Sequence, residues 1–313
     1  MRRRLSVAAL GMSLVCGVAA VAAARGPARA AWLPVPIAGA IQPADAIRAA
    51  APSDWREVAP DDLLIVELRD GARVAIELAP EFAPVHVANI RRFARSGWWQ
   101  DAAVYRVQDD YVAQWGLNET KKPLPDGVVA APPAEYERPL AGLRLRPLGF
   151  PDSYAPMAGH AGGWPVGYDP GRGRAWLAHC YAMVGVSRDL APDTGSGAEL
   201  YAVIGHAPRH LDRNIALVGR VIDGIGALSA LPRGTGDLGF YTDRKSDVPI
   251  ARVRLASEMP ASERPRYEVL RSDSRAFSLY VTGRANRGGD FFRVPAGGVD
   301  LCNVTVPVRR KGV

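Results

Sequence analysis

An apolar stretch at 63–68 is followed, after Asp70-Gly71, by a stretch in which Arg73, Ala75 and Glu77 alternate with Val74, Ile76 and Leu78. A period of two places one face of a strand against a core, and Asp-Gly is a turn sequence, so these stretches predict a β-hairpin. From Pro84 to the break at 96–97, apolar residues recur at helical spacing, namely Val87, Ile90, Phe93 and Ala94. A helix that packs on the hairpin is therefore predicted.

A second strand-turn-strand unit follows, with a β-rich stretch at 104–107, two aspartates as turn formers and a returning strand at 111–114. Side chains alternate along a strand, which puts Val112 and Gln114 on one face unless a bulge intervenes. Taken alone, the unit predicts a half-buried hairpin that carries one surface arginine, Arg106.

The same kinds of pattern continue in the second half of the chain. Apolar strands are predicted at 180–188 and 199–204, with a loop of turn-forming residues between them. A helix is predicted at about 223–230, because Gly224 precedes an apolar run and Pro232 ends it. A last strand is predicted at 252–255. The chain is thus predicted to be mainly β, with two helices.

Three regions lack a clear period. Residues 117–178 are rich in proline and glycine, and we predict an insertion with short elements that lies over the main domain near its cleft. Residues 31–60 are predicted to be a linker or lead-in, with a short helix at 44–51. Residues 261–313 are predicted to be a small β appendage, whose apolar stretches lie at 267–270, 277–281, 291–292 and 304–308.

The N-terminus has the pattern of a secretory signal. Three arginines precede the apolar run 5–24, and Ala28-Arg29-Ala30 forms a cleavage site before Ala31. A signal peptide at 1–30 and a periplasmic or secreted mature protein are predicted. A transmembrane anchor is the alternative, but the run is rich in small residues and only marginally long enough to span. A lipoprotein is disfavoured because Val15, not a small residue, precedes Cys16.

The formal net charge of +7 arises mostly in the signal. Five arginines and no acidic residue lie in the first thirty residues, which leaves 34 basic and 32 acidic residues, a net charge of +2. Nucleic-acid binding therefore loses its main support. No stable membrane insertion is expected once the signal has been removed.

Two of the three cysteines, Cys180 and Cys302, remain after removal of the signal. In an oxidising compartment they can form a disulfide that ties the tail to the main domain. The alternative is two separate buried thiols, and the sequence leaves both open.

Metal and hydrolase chemistry have weak support. His206 and His210 are four residues apart, but Gly205 and Pro208 exclude a helix between them, so no metal site is predicted. Ser196 lies between two glycines without a nucleophile-elbow sequence around it, and the stretch indicates a turn.

The hairpin around Arg106 resembles the signature of the cyclophilin-type peptidyl-prolyl isomerases, F-H-R-x-x-P-G-F-x-x-Q-G-G-D. The residues in register are Arg106, Tyr111, Gln114 and Gly116. The departures from the pattern are Tyr105 for His, Asp109-Asp110 for Pro-Gly, Trp115 for Gly and Leu117 for Asp.

Two further stretches are similar to the same family. Residues 180–204 resemble G-x-L-S-M-A, a loop, then S-Q-F-F-I, which aligns Ser187 and Arg188 with the residues that bind substrate backbone in the family. Residues 210–224 closely resemble W-L-D-x-x-x-x-x-F-G-x-V-x-x-G, with Ile215 at a frequent histidine position. The resemblance covers about residues 62–256, interrupted by the insertion.

The resemblance implies a closed antiparallel cyclophilin-like β-barrel at 61–260 with two capping helices. It also implies a peptidyl-prolyl cis-trans isomerase that acts on proline-containing polypeptides, here exported proteins during folding, without cofactor or metal. A non-catalytic proline-binding or chaperone module of the same fold is the alternative. Catalysis is assigned to Arg106 and Gln114. Substrate binding is assigned to Tyr111, Val112, Ser187, Arg188, Glu199, Tyr201, His210, Leu211 and Ile215.

Overall fold

The protein is described by a computed structural model that covers residues 42–117 and 122–312. The predicted signal peptide lies outside these residues. Four α-helices lie in the described ranges: α1 (Pro43–Arg48), α2 (Pro84–Arg95), α3 (Ile225–Ser229) and α4 (Arg275–Ala285). The strands there are β1 (Trp55–Glu57), β2 (Leu63–Leu68), β3 (Arg73–Leu78), β4 (Ala103–Val107), β5 (Val112–Gly116), β6 (Arg138–Pro139), β7 (Leu145–Pro147), β8 (Met157–Ala161), β9 (Trp164–Asp169), β10 (Arg174–Leu177), β11 (Met183–Val186), β12 (Leu200–Val203), β13 (Leu217–Asp223), β14 (Val248–Leu255), β15 (Tyr267–Leu270) and β16 (Val308–Arg310).

Eight antiparallel strands close into a barrel in the order β11-β12-β5-β4-β14-β2-β3-β13, which confirms the predicted fold class. The predicted hairpin is β2-β3, and the two predicted helices are α2 and α3. The helices pack their apolar residues into the barrel core, as shown by Val87, Ile90, Phe93 and Leu228. Every barrel strand joins two neighbours, so no strand edge is left unpaired in this sheet.

The insertion contains a sheet of its own. Five short antiparallel strands are ordered β6-β10-β9-β8-β7. Its apolar face joins a second core with the outer surface of the barrel and with α4. Trp164, Val166 and Tyr168 come from the insertion, Met183 and Leu217 from the barrel. The insertion thus buries apolar surface on the barrel and is not a loose loop.

The segments on either side of the barrel fold together. Strand β15 pairs with β1 on one edge and with β16 on the other, and α1 packs against α4. Residues 42–60, in the predicted lead-in, therefore form an ordered layer with the C-terminal region.

None of the helices in the described ranges is long and apolar enough to cross a bilayer.

The prediction of strands throughout the C-terminal appendage is wrong in part. Residues 277–281 lie in helix α4, which begins where the Ser274 hydroxyl accepts a hydrogen bond from the Phe277 amide at 3.0 Å. The stretch 291–292 lies outside the strands, and in the last stretch a strand begins only at Val308. The appendage is therefore one helix and a three-stranded sheet completed by β1.

A buried ion cluster joins the barrel to its surroundings. Glu77 of β3 accepts hydrogen bonds from Arg220 of β13 at 2.8 and 3.1 Å and pairs with Arg56 of β1 at 2.6 Å. In addition, Arg56 Nε donates to the carbonyl of Gly162 and Arg220 Nη1 to the carbonyl of Gly163, both in the insertion. Because the burial of a charge is costly unless it is paired, this cluster favours the arrangement in which β1, the barrel and the insertion meet at Glu77.

A disulfide joins Cys180, just before β11, to Cys302 in the C-terminal region. Of the two alternatives for these cysteines, the structure therefore contains the bond. It links residues 122 positions apart. A crosslink that closes so long a loop is expected to stabilise the fold by about 2 to 5 kcal/mol, chiefly because it restricts the unfolded chain.

Helix α2 is capped by a residue of the insertion. Ala83 precedes the helix and offers no side-chain acceptor. Glu135 instead accepts hydrogen bonds from the backbone amides of Val85 and His86 at 2.9 and 3.0 Å, and from His86 Nδ1 at 2.6 Å. The bond with the His86 side chain and the two amide bonds hold the pKa of Glu135 below its usual value despite burial.

Replacing Glu135 with alanine is expected to lower the free energy of unfolding by about 1 to 3 kcal/mol, because buried amides of α2 lose their acceptor. Urea denaturation measures the change. Glu81→Ala is the matched control, since its ion pair with Arg138 lies at the surface and contributes at most about 1 kcal/mol. Equal losses in the two variants would show that the cap is not the stabilising feature.

Candidate active site

The β4-β5 hairpin contains a bulge that brings three functional side chains together. Val104 pairs with Trp115 and Arg106 with Gln114, so one extra residue, Tyr105, lies between the two pairs on β4. Consecutive side chains of a regular strand point to opposite faces, but a bulge re-aims them. As a result the Tyr105 hydroxyl and the Arg106 guanidinium both reach Gln114, at 2.6 and 3.0 Å.

The Arg106 guanidinium is held by neutral acceptors. Nη1 donates to Gln114 Oε1 at 3.0 Å, Nη2 to Gln108 Oε1 at 2.5 Å and Nε to the Leu238 carbonyl at 2.7 Å. Among the described residues, no carboxylate lies within ion-pair distance of it. Burial lowers the pKa of Arg106, yet an arginine remains protonated at any physiological pH. Of its five donors, two N–H groups and the whole positive charge remain for a ligand.

Gln114 is 5% exposed, and its amide orientation follows from its neighbours. The side-chain NH₂ faces oxygen acceptors only, Tyr105 Oη at 2.6 Å and Ser187 Oγ at 2.9 Å, whereas Oε1 faces the guanidinium. The Tyr105 hydroxyl in turn donates to Glu199 Oε2 at 2.5 Å. Burial and the Glu199 charge raise the pKa of Tyr105, so the phenol keeps its proton and this donation. The network fixes Gln114, and Gln114 fixes Arg106.

An apolar cluster lies beside this network. Val112, Tyr201 and Val203 are buried in it, and Tyr111 and Ile215 pack against them partly exposed. The Arg106 guanidinium lies over the Tyr111 ring, 5.9 Å from its centroid. A cation at the edge of an apolar pocket can act on a ligand from which water has been removed.

The two other predicted residues, His210 and Leu211, differ in their relation to this cluster. His210 is exposed and stacks on Tyr111, with ring centroids 6.4 Å apart and planes 7° from parallel. Leu211 is half-buried in the turn Arg209–Leu211 and is not a member of the apolar cluster. The structure therefore places His210 against the pocket wall but gives no such contact for Leu211.

An open cleft of about 450 Å³ adjoins the network on the side of Glu199. Ser187, Arg188 and Glu199 line it, together with Leu124 and Ala130 from the start of the insertion. The guanidinium of Arg188 bonds the carbonyls of Asn214 and Asp189, which leaves the cleft open. Nine of the eleven predicted site residues thus lie in the hydrogen-bond network, the apolar cluster or this cleft.

A family model for cyclophilin-type peptidyl-prolyl cis-trans isomerases, described as cyclophilin type peptidyl-prolyl cis-trans isomerase/CLD, matches residues 63–256. The chain belongs to this family. The matched range begins with β2 and ends just after β14, so it coincides with the closed barrel and includes the insertion.

Individual relatives resemble this cyclophilin to different extents. Probable peptidyl-prolyl cis-trans isomerases of Brucella suis and Brucella melitensis are 42% identical to it over 57 residues. That segment is 18% of this chain and spans 29% of the length of these relatives. The crystal structure of the cyclophilin AquaCyp293 from Hirschia baltica superposes with a TM-score of 0.64 at 26% identity, covering 82% of this chain and 93% of that one. The structural likeness therefore extends beyond the barrel.

One segment of this cyclophilin site, residues 238–240, is missing from the sequence-based predictions. The segment that follows α3 runs beside β4, where the Leu238 carbonyl binds Arg106 and the Phe240 ring lies 5.3 Å below its guanidinium. Gly239 permits this approach, because a Cβ there would lie 2.5 Å from the Gln108 Cα and its φ is +81°. A glycine beside an aromatic is the one sequence feature that marks the segment.

In the part of the chain that the structure describes, no group of three or more histidine, cysteine, aspartate or glutamate side chains is arranged to hold a metal ion. The site itself presents oriented hydrogen-bond donors and the positive charge of Arg106.

Proposed function

We propose that this cyclophilin is a peptidyl-prolyl cis-trans isomerase that acts on X-Pro bonds of exported proteins and assists their folding. The observation that carries the proposal is the Arg106 guanidinium. It has no carboxylate partner among the described residues, two of its donors are unused, and Gln114 holds it at the edge of an apolar pocket.

The slow step of the reaction is rotation about an amide bond. Resonance gives the C–N bond partial double-bond character, and the barrier is about 18 to 20 kcal/mol. At the twisted geometry the nitrogen lone pair is localised and accepts a hydrogen bond that the planar amide does not accept. A donor fixed near the prolyl nitrogen therefore stabilises the transition state more than either ground state. Arg106 is the donor we assign to this role.

The apolar cluster supplies the second requirement, a dry site for the proline ring. Val112 and Tyr201 form its buried wall, and Tyr111 and Ile215 its partly exposed rim. Removal of water from the ring lowers the local dielectric and strengthens the contact between the guanidinium and the amide. The open cleft beside Glu199 offers room for the neighbouring peptide residues. No covalent intermediate is needed.

Two features support a periplasmic or secreted location, from which exported clients follow. The pattern of residues 1–30 is that of a signal peptide. The Cys180–Cys302 disulfide is of a kind that persists in oxidising compartments. N-terminal sequencing of the protein from a cell fraction tests the location, and a mature chain that begins at Ala31 outside the cytoplasm is the expected result.

The activity is tested by the cis-to-trans rate of an X-Pro tetrapeptide with the purified mature protein. We expect a rate well above the uncatalysed one, proportional to protein concentration. A variant at an exposed arginine distant in sequence from the hairpin, Arg69→Ala, serves as a control and is expected to be fully active. A protein that binds the tetrapeptide but leaves its rate unchanged would instead be a proline-binding or chaperone module of the same fold.

A further inference from the structure

Five buried side chains connect the insertion to the apolar pocket. Asp152 of the insertion forms two hydrogen bonds with Arg209, each of 3.0 Å, and Arg209 Nε donates to Asp212 at 2.6 Å. Asp212 lies 3.0 Å from Nδ1 of His179, whose Nε2 lies 3.0 Å from the hydroxyl of Tyr201. Tyr201 is part of the pocket wall. The chain of contacts is therefore continuous from the insertion to the candidate active site.

The donors and acceptors of this network can be assigned. Both oxygens of Asp212 accept hydrogen bonds, one from Arg209 and the other from the backbone amide of His179 at 2.8 Å. An ionised carboxylate accepts only, so His179 Nδ1 carries the proton between them. Burial lowers the pKa of His179 and raises that of Tyr201, so the imidazole is neutral and the phenol protonated. Nε2 consequently accepts a hydrogen bond from the Tyr201 hydroxyl.

The structure makes specific room for this tyrosine. A Cβ at Gly185 on the paired strand β11 would lie 2.3 Å from the Tyr201 hydroxyl oxygen, so only glycine fits there. The imidazole of His179 also stacks on the Tyr201 ring, with planes 13° apart. In the family pattern S-Q-F-F-I, which this stretch resembles, Tyr201 stands at the second phenylalanine, a residue that has no hydroxyl to satisfy.

We propose that Asp152, Arg209, Asp212 and His179 are positioning residues that fix the Tyr201 ring as the wall of the proline pocket. The inference rests on the proposed function, because it assigns a role in substrate affinity. A buried hydroxyl without a partner is costly, so the ring moves when its acceptor is removed. Through Asp152, the insertion thus takes part in substrate binding from a residue that does not itself line the proline pocket.

The test compares His179→Leu, Tyr201→Phe and the double variant. Removing the acceptor in His179→Leu is expected to raise KM for the X-Pro tetrapeptide about tenfold with little change in kcat, since Arg106 and Gln114 keep their places. Tyr201→Phe is expected to have a KM within about threefold of the wild type. The double variant is expected to return to that range, because it has no hydroxyl that needs a partner.

Rescue by the second substitution separates positioning from general damage to the fold. A double variant as weak as His179→Leu alone would overturn the proposal, and so would an unchanged KM in His179→Leu. Asp152→Asn provides a test at the insertion. Its KM is expected to rise about threefold in the wild-type background and not at all in the Tyr201→Phe background. An equal effect in both backgrounds would show that the insertion does not act through Tyr201.

Peptide affinity measured by calorimetry with an unlabelled Ala-Pro tetrapeptide accompanies each KM. Binding does not require catalysis, so the same pattern in Kd tests the positioning role even if the protein does not accelerate isomerisation. If the wild type binds but does not catalyse, the proposed activity fails while the role of His179 is still decided by Kd. If neither Kd nor KM responds to His179→Leu, the positioning role fails by itself.

Discussion

Replacing Arg106 with alanine is expected to lower kcat/KM for an X-Pro tetrapeptide by about 100- to 1000-fold. The guanidinium is the one cation in the described structure that contacts both Gln114 and the apolar cluster through Tyr111. Within the described residues its charge is not neutralised by an ion pair, and two of its five N–H donors have no hydrogen-bond partner. A preorganised donor of this kind typically contributes about 2.7 to 4 kcal/mol to the transition state.

The assay is the one described for the wild type, repeated with three variants. Arg106→Lys retains the charge but not the planar fork, so it is expected to recover only a small part of the lost rate. Arg69→Ala is the control for removal of an arginine as such. Circular dichroism checks that Arg106→Ala is folded, and peptide affinity checks that the pocket is intact. A folded, binding-competent Arg106→Ala protein with the wild-type rate would remove Arg106 from the mechanism.

Acidification from pH 6.5 to pH 3 is expected to cost about 4 kcal/mol of stability through His160 alone. This imidazole is fully buried between the insertion and α4, where it meets the Phe277 ring edge-on at 5.0 Å. Its Nε2 has no hydrogen-bond partner within the described structure. Burial lowers the pKa of His160 to about 3. The pKa of this imidazole in the unfolded chain is the ordinary value of about 6.5. Between that value and the folded-state pKa, the unfolded chain binds a proton that the folded chain does not, so stability falls as pH falls.

Urea denaturation at pH values from 7 to 4 measures this effect as a slope of about 1.4 kcal/mol per pH unit for one proton. Other groups add their own slopes, so the informative quantity is the difference between proteins. His160→Leu keeps the burial and removes the titration, and its slope is expected to be smaller by one proton. The same substitution at the exposed His206, His206→Leu, controls for the loss of a histidine as such. If His160→Leu and the wild type respond identically to acid, the buried imidazole is not the source.

The barrel elements were predictable because their signals are local. Strand β3 and helix α2 show periods of two and of 3.6 in the sequence, and the family signature matches both Arg106 and Gln114 in register. The sheet of the insertion was not predictable in the same way. Its strands are two to six residues long, and β8 and β9 are buried almost throughout, so the alternation that marks a half-exposed strand is lost.

Helix α4 shows how a local pattern can mislead. Phe277, Leu279 and Val281 are apolar at alternate positions and β-forming, which favours a strand. The stretch is nevertheless helical, because Ser274 caps the helix and because α4 packs against α1. At the site, the contribution of Phe240 and His179 depends on contacts between segments far apart in the chain. Composition and spacing carry no record of such contacts.

The three-stranded sheet has a consequence for the biosynthesis of the protein. Strand β1 and helix α1 are synthesised before the barrel, whereas their partners β15, β16 and α4 are synthesised after it. The apolar side chains of Ala46 and Trp55 therefore have no native cover until the C-terminal region has left the ribosome or the translocation channel. When segments that are synthesised early gain their packing partners late, folding is slow and the exposed apolar side chains favour aggregation. A chain built in this way spends its synthesis with part of its native apolar surface uncovered.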